Sequence, residues 1–166
     1  MIDISKLSSR YEVRALHDSD VDEVLAVCRE NTLFYRYTDS RPEREHILRD
    51  MHTAPPDTEL SQKHYIGFYS GEVLAAVMDI IDGFPEKDIA YIGFFMMNTA
   101  FQGRQIGSSI IGEVKEYLKN NGFRAARLVI NKGNPQSSHF WTKNGFSVIR
   151  EAEAGSLSVF EAECIL

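Results

Sequence analysis

No segment of this chain is apolar for the roughly 20 residues that a membrane-crossing helix requires. Cysteine is nearly absent: Cys28 and Cys164 are far apart in sequence and match no metal or redox spacing. Both sit among apolar residues, which fits buried, reduced thiols. The histidines, at positions 17, 46, 52, 64 and 139, show neither His-Glu-x-x-His nor mixed Cys/His ligand spacing, so no metal site is expected. Basic residues are in deficit, with 18 Lys and Arg against 24 Asp and Glu and a formal net charge of −6. That balance argues against a nucleic-acid binder, which needs cationic surface to displace counterions from phosphates. The serines at 108, 109, 137 and 138 lie in no Gly-x-Ser-x-Gly elbow. Met1-Ile2-Asp3-Ile4-Ser5-Lys6 lacks the basic start and apolar stretch of a signal peptide, so a cytoplasmic protein without membrane attachment is expected.

What is present reads as a single domain over residues 1–166, 43% hydrophobic and 25% charged. A chain of this size buries about 70% of the surface that it exposes when unfolded. Tyr11–Leu16 alternates as a first strand. Ser19, with Asp22 three residues on, reads as the cap of a first helix carrying Val21, Val24, Leu25 and Cys28. Ser40 and Pro42 predict the start of a second helix with Ile47, Leu48 and Met51 on one face. Between them, Leu33–Tyr37 is rich in aromatics, and reads as either a packed elbow or a pocket wall. Three strands follow, His64–Tyr69, Glu72–Ile81 and Asp88–Met97, the first two joined tightly through Ser70-Gly71 and so antiparallel. A helix from Gly103 to Asn120, a strand over Arg124–Asn131 and a short helix from Asn134-Pro135 to Gly145 come next. Two strands, Phe146–Glu153 and Ser156–Cys164, close the chain. The order β-α-α-β-β-β-α-β-α-β-β implies an α/β (α+β) fold with a mixed, largely antiparallel sheet flanked by helices.

The segment from Phe94 to Ser109 runs from an apolar strand through a turn with two glycines directly into an amphipathic helix. Such a helix start offers unpaired N–H groups and the positive end of a dipole to an anion such as pyrophosphate. Glycine lets the backbone approach phosphate oxygens, and Arg104, Ser108 and Ser109 carry further donors. Alone, this pattern is neither a Walker loop nor a dinucleotide fingerprint.

A second segment, Asn134 to Phe146, gives the first its meaning. Gln102, Gln105 and Gly107 fall on the Gln/Arg-x-x-Gly-x-Gly/Ala turn of the GCN5-related N-acetyltransferases. Asn134, Ser137, Phe140, Trp141, Lys143, Gly145 and Phe146 fall on that family's later Asn-x-x-Ala-x-x-(Phe/Leu)-Tyr-x-Lys-x-Gly-Phe pattern. With both motifs and the element order, the chain resembles this family from about Tyr11 to its C-terminus.

The resemblance implies that acetyl-CoA lies in a splay between the strand ending near Met97 and the strand Arg124–Asn131. Backbone groups of Gln102, Gly103, Arg104, Gln105, Ile106, Gly107 and Ser108 would hold the pyrophosphate. Those of Met96 and Met97 would hold the pantetheine arm and thioester carbonyl, with Met97 N–H facing the oxyanion. Asn134, Phe140 and Lys143 would line the approaches, and Tyr35 and Tyr37 would face the acceptor amine. Two departures from the family pattern carry information. Gln105 stands for a glycine, and Trp141 for a tyrosine that protonates the thiolate, although an indole cannot supply a proton near neutral pH. Where several relatives carry a glutamate base, this chain has Tyr91, whose reference pKa of about 10 suits that role poorly. His64, Asp79, Asp82 and His139 are the other candidates, each with an ordinary reading as a structural or exposed polar residue. The expected activity is direct transfer from acetyl-CoA to an amine on a small molecule or peptide. The alternative is an acyl-CoA-binding or sensing module that kept the cleft without the chemistry. An unrelated nucleotide-phosphate binder would leave the Asn134–Phe146 pattern unexplained. Closing strands that reach a sheet edge fit a homodimer.

Overall fold

The computed structural model describes residues 1–166. Its seven strands are β1 (Glu12–Ala15), β2 (Lys63–Ser70), β3 (Val73–Asp82), β4 (Ile89–Met97), β5 (Ala125–Asn131), β6 (Ser147–Ala154) and β7 (Leu157–Ile165). They form one sheet in the order β1-β2-β3-β4-β5-β7-β6. Four helices, α1 (Val21–Glu30), α2 (Arg44–His52), α3 (Ile106–Asn120) and α4 (Pro135–Lys143), complete the expected order of elements. Every strand pair is antiparallel except β4 with β5.

The strands agree with the sequence reading to within a residue or two, and the helix starts differ more. Ser19 does not cap α1: it lies in a 3-10 turn, Asp18–Asp20, and the Asp20 carboxylate accepts from His17 N–H at 2.8 Å. Ser40 instead bonds Thr38, and α2 begins at Arg44 without a side-chain cap. α3 begins at Ile106 rather than Gly103, because Gly103 (φ +73°) and Gln105 (φ +59°) both hold left-handed backbone that cannot continue a right-handed helix.

Alternation along the strands sends two apolar sets to opposite faces. Ile66, Phe68, Met78, Ile80 and Leu128 join Ile110, Val114 and Trp141 from α3 and α4 in one core. Tyr65, Tyr69, Leu74, Val77 and Met96 join Val24, Cys28, Ile47 and Met51 from α1 and α2 in the other. The strand β6 forms one edge of the sheet, with Val148 and Ile149 about half exposed.

Two irregularities in β4 position everything that follows. Ile80 pairs with Ile92 and Asp79 with Phe94, so Gly93 is an extra residue, a bulge. The parallel ladder with β5 lasts only from Ile89↔Ala125 to Tyr91↔Arg127, after which the strands part. Asn98 N–H donates to the Ala75 carbonyl at 2.9 Å. The alternation of an antiparallel ladder therefore turns Phe94 and Met96 toward β3, and turns the backbone groups of Phe95 and Met97 into the gap.

Gly67 on β2 is a close-packing position. An added Cβ would lie 2.7 Å from Leu74 Cδ1, 2.8 Å from Tyr69 Cε2 and 3.2 Å from Leu16 Cδ2, all buried groups. Gly67→Ala should destabilise the fold by about 1–3 kcal/mol, read as a lower urea midpoint at unchanged m.

Candidate active site

The gap between β4 and β5 is a cleft of about 660 Å³, walled by β4, the turn before α3, β5 and α4. Its floor at the α3 end is made of donors. Ser109 N–H bonds the Gln105 carbonyl, which leaves the N–H groups of Ile106, Gly107 and Ser108, the first three of the helix, without an intrahelical partner. The Gln105 side chain makes no capping bond, and no acidic residue occupies the first turn. Gln105 has taken up the left-handed conformation that a glycine would adopt at no cost. For a residue with a Cβ this costs about 1–2 kcal/mol.

Gly107 has a packing role. An added Cβ would lie 3.2 Å from Phe140 Cε2 and 3.4 Å from Met97 Cγ and Sδ, so its bareness lets α3, α4 and β4 converge. The Gln102 amide is likewise structural: its Nε2 donates to Asn31 Oδ1 at 2.8 Å and to the Met97 carbonyl at 3.2 Å. Asn31 Nδ2 also donates to Met97, at 2.9 Å, which ties the end of α1 to the end of β4. The Arg104 guanidinium turns away from the cleft, donating to the Ala100 carbonyl at 2.6 Å and lying over the Phe101 ring. Ser109 Oγ accepts from Arg10, while Ser108 stays on the cleft wall, its hydroxyl accepting from Asn144 at 3.1 Å.

On the opposite wall, Asn134 is 2% exposed and caps α4, its Oδ1 accepting from Ser137 N–H at 3.1 Å. Phe140 stacks on Phe95 with centroids 5.8 Å apart, and Trp141 packs edge-on against Phe140 (4.9 Å) and Phe146 (5.1 Å). At 7% exposure Trp141 is part of an aromatic core that borders the cleft. Lys143 is the one ionisable side chain among the residues lining it.

Several residues expected at the site lie elsewhere or act differently. Tyr91 is outside the cleft lining and packs edge-on against Phe84 at 5.3 Å. Burial, then the nearby Glu161 and Asp79 carboxylates, raise its hydroxyl above the ordinary value of 10, further from use as a base. Tyr35 and Tyr37 do not line the cleft; Phe34 does, edge-on to Phe94 at 6.0 Å. The Tyr35 hydroxyl is turned toward Cys28, and burial followed by that thiol pushes its pKa up. Met96 buries its side chain against α1 and α2, and its N–H faces β3. Phe95 takes its place beside Met97 in presenting backbone to the cleft. Phe34 belongs to the aromatic segment Leu33–Tyr37 that the sequence offers as a pocket wall, whereas nothing in the sequence singles out Phe95 or Asn31. Strand alternation counted back from Asn98 would have found Phe95, but no local pattern marks Asn31.

The sequence matches the Acetyltransferase (GNAT) family over residues 24–146, about three quarters of its length. The chain belongs to that family. An acetyltransferase from Thermus thermophilus superposes with a TM-score of 0.75 at 19% identity, over 93% of this chain and 96% of the other. The PaiA N-acetyltransferase of Thermoplasma acidophilum, solved with coenzyme A, gives 0.66 at 21% identity, over 93% and 98%. The ribosomal-protein-S18-alanine N-acetyltransferase of Escherichia coli gives 0.65 at 11%, over 92% of each chain. At these identities the structures show a shared fold. No curated protein matches the sequence.

Within this GNAT member, Gln105 provides a direct test of the turn. Gln105→Gly removes about 1–2 kcal/mol of left-handed strain and adds about 0.5–1 kcal/mol of unfolded-chain entropy. The variant should therefore be slightly more stable than wild type in urea, with affinity for coenzyme A undiminished in calorimetry.

Proposed function

We propose that this chain is an N-acetyltransferase that moves the acetyl group of acetyl-CoA to an amine by direct attack in a ternary complex. The observation that carries the reading is the pair of unfilled donor sets along one cleft. Three N–H groups of α3 open it at one end, and the outward backbone of Phe95 and Met97 edges it beside the splay. The residues present fit acetyl-CoA. A pyrophosphate would lie on Ile106, Gly107 and Ser108, and the amide-bearing arm would bond β4 as a short additional strand. When bound, acetyl-CoA supplies an activated acyl group and a thiolate leaving group. Met97 N–H then faces the developing oxyanion. Asn134, Phe140 and Lys143 complete the wall.

Trp141 cannot protonate the departing sulfur. A thiol of pKa about 8.5 leaves tolerably as the thiolate, so losing an acid worth about 10²–10⁴-fold slows the reaction without forbidding it. The lining also holds no carboxylate or imidazole that touches an amine directly. A lysine-like amine of pKa about 10.4 is neutral in only about one molecule in 2,500 at pH 7, whereas an α-amine near 7.7–8.0 is neutral in roughly 10–17%. The acceptor is therefore read as a low-pKa amine on a small molecule or peptide.

Ser108→Glu tests the cofactor site with two signs at once. An acid at the third helical position favours α3 but repels pyrophosphate. Thermal stability should hold or rise while coenzyme A and acetyl-CoA bind roughly 10–100-fold more weakly by calorimetry. Unchanged affinity would move the pyrophosphate off this turn. Acceptor class is tested by CoA release at pH 7 with matched peptides offering an α-amine or a lysine side chain: the α-amine should be preferred at least tenfold. Equal turnover would refute that preference.

A further inference from the structure

Direct transfer leaves a proton to be placed, and the lining of the cleft holds no carboxylate or imidazole to receive it. One carboxylate lies a single backbone layer behind the wall. Gly93, the bulge residue, is exposed on that wall, and a Cβ added to it would sit 2.8 Å from Asp79 Oδ2 and 3.4 Å from Asp79 Cγ. The carboxylate thus occupies the space that a side chain at 93 would need. Asp79 is 7% exposed. Its Oδ2 accepts from Lys63, while its Oδ1 is buried with no hydrogen-bond partner in the chain. An unpartnered oxygen on a buried carboxylate costs free energy unless water or a ligand donates to it.

We propose that Asp79 is the proton acceptor of the transfer reaction, reached from the acceptor amine through one water held at the Gly93 bulge. This rests on the direct-transfer reading above. The ammonium gives one proton through the water to Asp79, and the freed nitrogen lone pair attacks the thioester carbon. The N–C bond forms as the carbonyl pair moves to oxygen, and collapse expels sulfur with its electron pair as thiolate. The second nitrogen proton passes to the thiolate through solvent, giving the acetamide and the CoA thiol. Asp79 returns its proton to bulk water.

The surroundings suit a carboxylate that must accept and release a proton. Burial raises Asp79 above the ordinary carboxylate range, Lys63 on β2 pulls it back, and Asp50 on α2 raises it again. Tyr65 on β2 and Tyr91 on β4 also face it, both with hydroxyls raised by burial, and both remain neutral through the working pH range. A carboxylate raised in this way works as a base only above its own pKa, so activity should fall as pH drops through that value.

The experiment follows CoA release against pH, with acetyl-CoA and a panel of α-amino amides, polyamines and amino sugars, in wild type, Asp79→Asn and Lys63→Met. Asp79→Asn should lower kcat by roughly 100-fold at pH 7, leave KM for acetyl-CoA unchanged and lose the acid limb of the profile. Lys63→Met removes the cation that holds the carboxylate down, so its acid limb should move to higher pH. A pair that serves only the fold would cost stability in Lys63→Met without moving the limb, and that result overturns the proposal even where Asp79→Asn does not fold. A folded Asp79→Asn with kcat within threefold and an unchanged limb overturns it too. Wild type that binds acetyl-CoA yet transfers to no amine in the panel sinks the transfer reading, and Asp79 with it. Transfer that survives in Asp79→Asn sinks only the base.

Discussion

The parting of β4 from β5 is the constraint on which the rest of this molecule depends. A parallel ladder that stops after Tyr91↔Arg127 leaves strand backbone in the middle of a sheet without a neighbour. Such groups are obligatory hydrogen-bonding partners, and leaving them buried and unpaired costs about as much as the bonds they forgo. The gap must therefore stay wet or be filled by something that offers amides. The remaining fold sustains the gap. The crossover through α3 closes one end, and the aromatic stack of Phe95, Phe140, Trp141 and Phe146 props α4 against the sheet. Beside it Asn31 and Gln102 converge on the Met97 carbonyl and fix where β4 ends.

The turn before α3 carries a local cost for the same purpose. Gly103 and Gln105 both hold positive φ, and only the first is a residue that does so freely. A residue with a Cβ in that conformation persists when its surroundings over-determine it, as at a ligand-binding turn. Here the consequence is a helix whose first three N–H groups point out of the turn with no side chain covering them. Gln105 departs from the family motif in composition yet holds a left-handed backbone of the kind glycine adopts freely.

How much of this could be read from residues alone depends on the range of the interaction. Element order, sheet class and the turn that opens α3 were legible because periodicity, Gly103, Gly107 and the Asn134–Phe146 pattern are local signals. The start of α3 was misread by three residues because nothing marks Gln105 as left-handed until its φ is known. The sequence predicts cleft-facing backbone at Met96, whereas the ladder turns Met96 N–H toward β3 and gives that place to Phe95, because the direction of a strand's N–H depends on which partner residue it meets across the ladder. The acceptor side was least legible. Phe34 rather than Tyr35 or Tyr37 meets the cleft because the 3-10 turn at Phe34–Arg36 rotates Tyr35 inward toward Cys28. No spacing rule contains that rotation.

The buried pair of Lys63 and Asp79 shows why a structural and a chemical role need not be alternatives. Replacing a buried ion pair with apolar residues of similar volume is often neutral or stabilising, so stability alone is a weak reason to keep one. This pair is also incompletely satisfied, since Asp79 Oδ1 has no donor. It sits opposite the one position in β4 where the strand admits an extra residue, and that residue is a glycine exposed on the cleft. If Asp79 served only to neutralise Lys63, nothing would require the bulge beside it to be bare, because any shift of Lys63 could carry the carboxylate away from a side chain at 93. A carboxylate that must exchange protons with the cleft requires the bare backbone beside it, where Oδ2, the oxygen that Lys63 bonds, lies nearest. Lys63 then has a further function: it draws down an acid that burial raises, which favours its action as a base where the amine arrives as an ammonium ion.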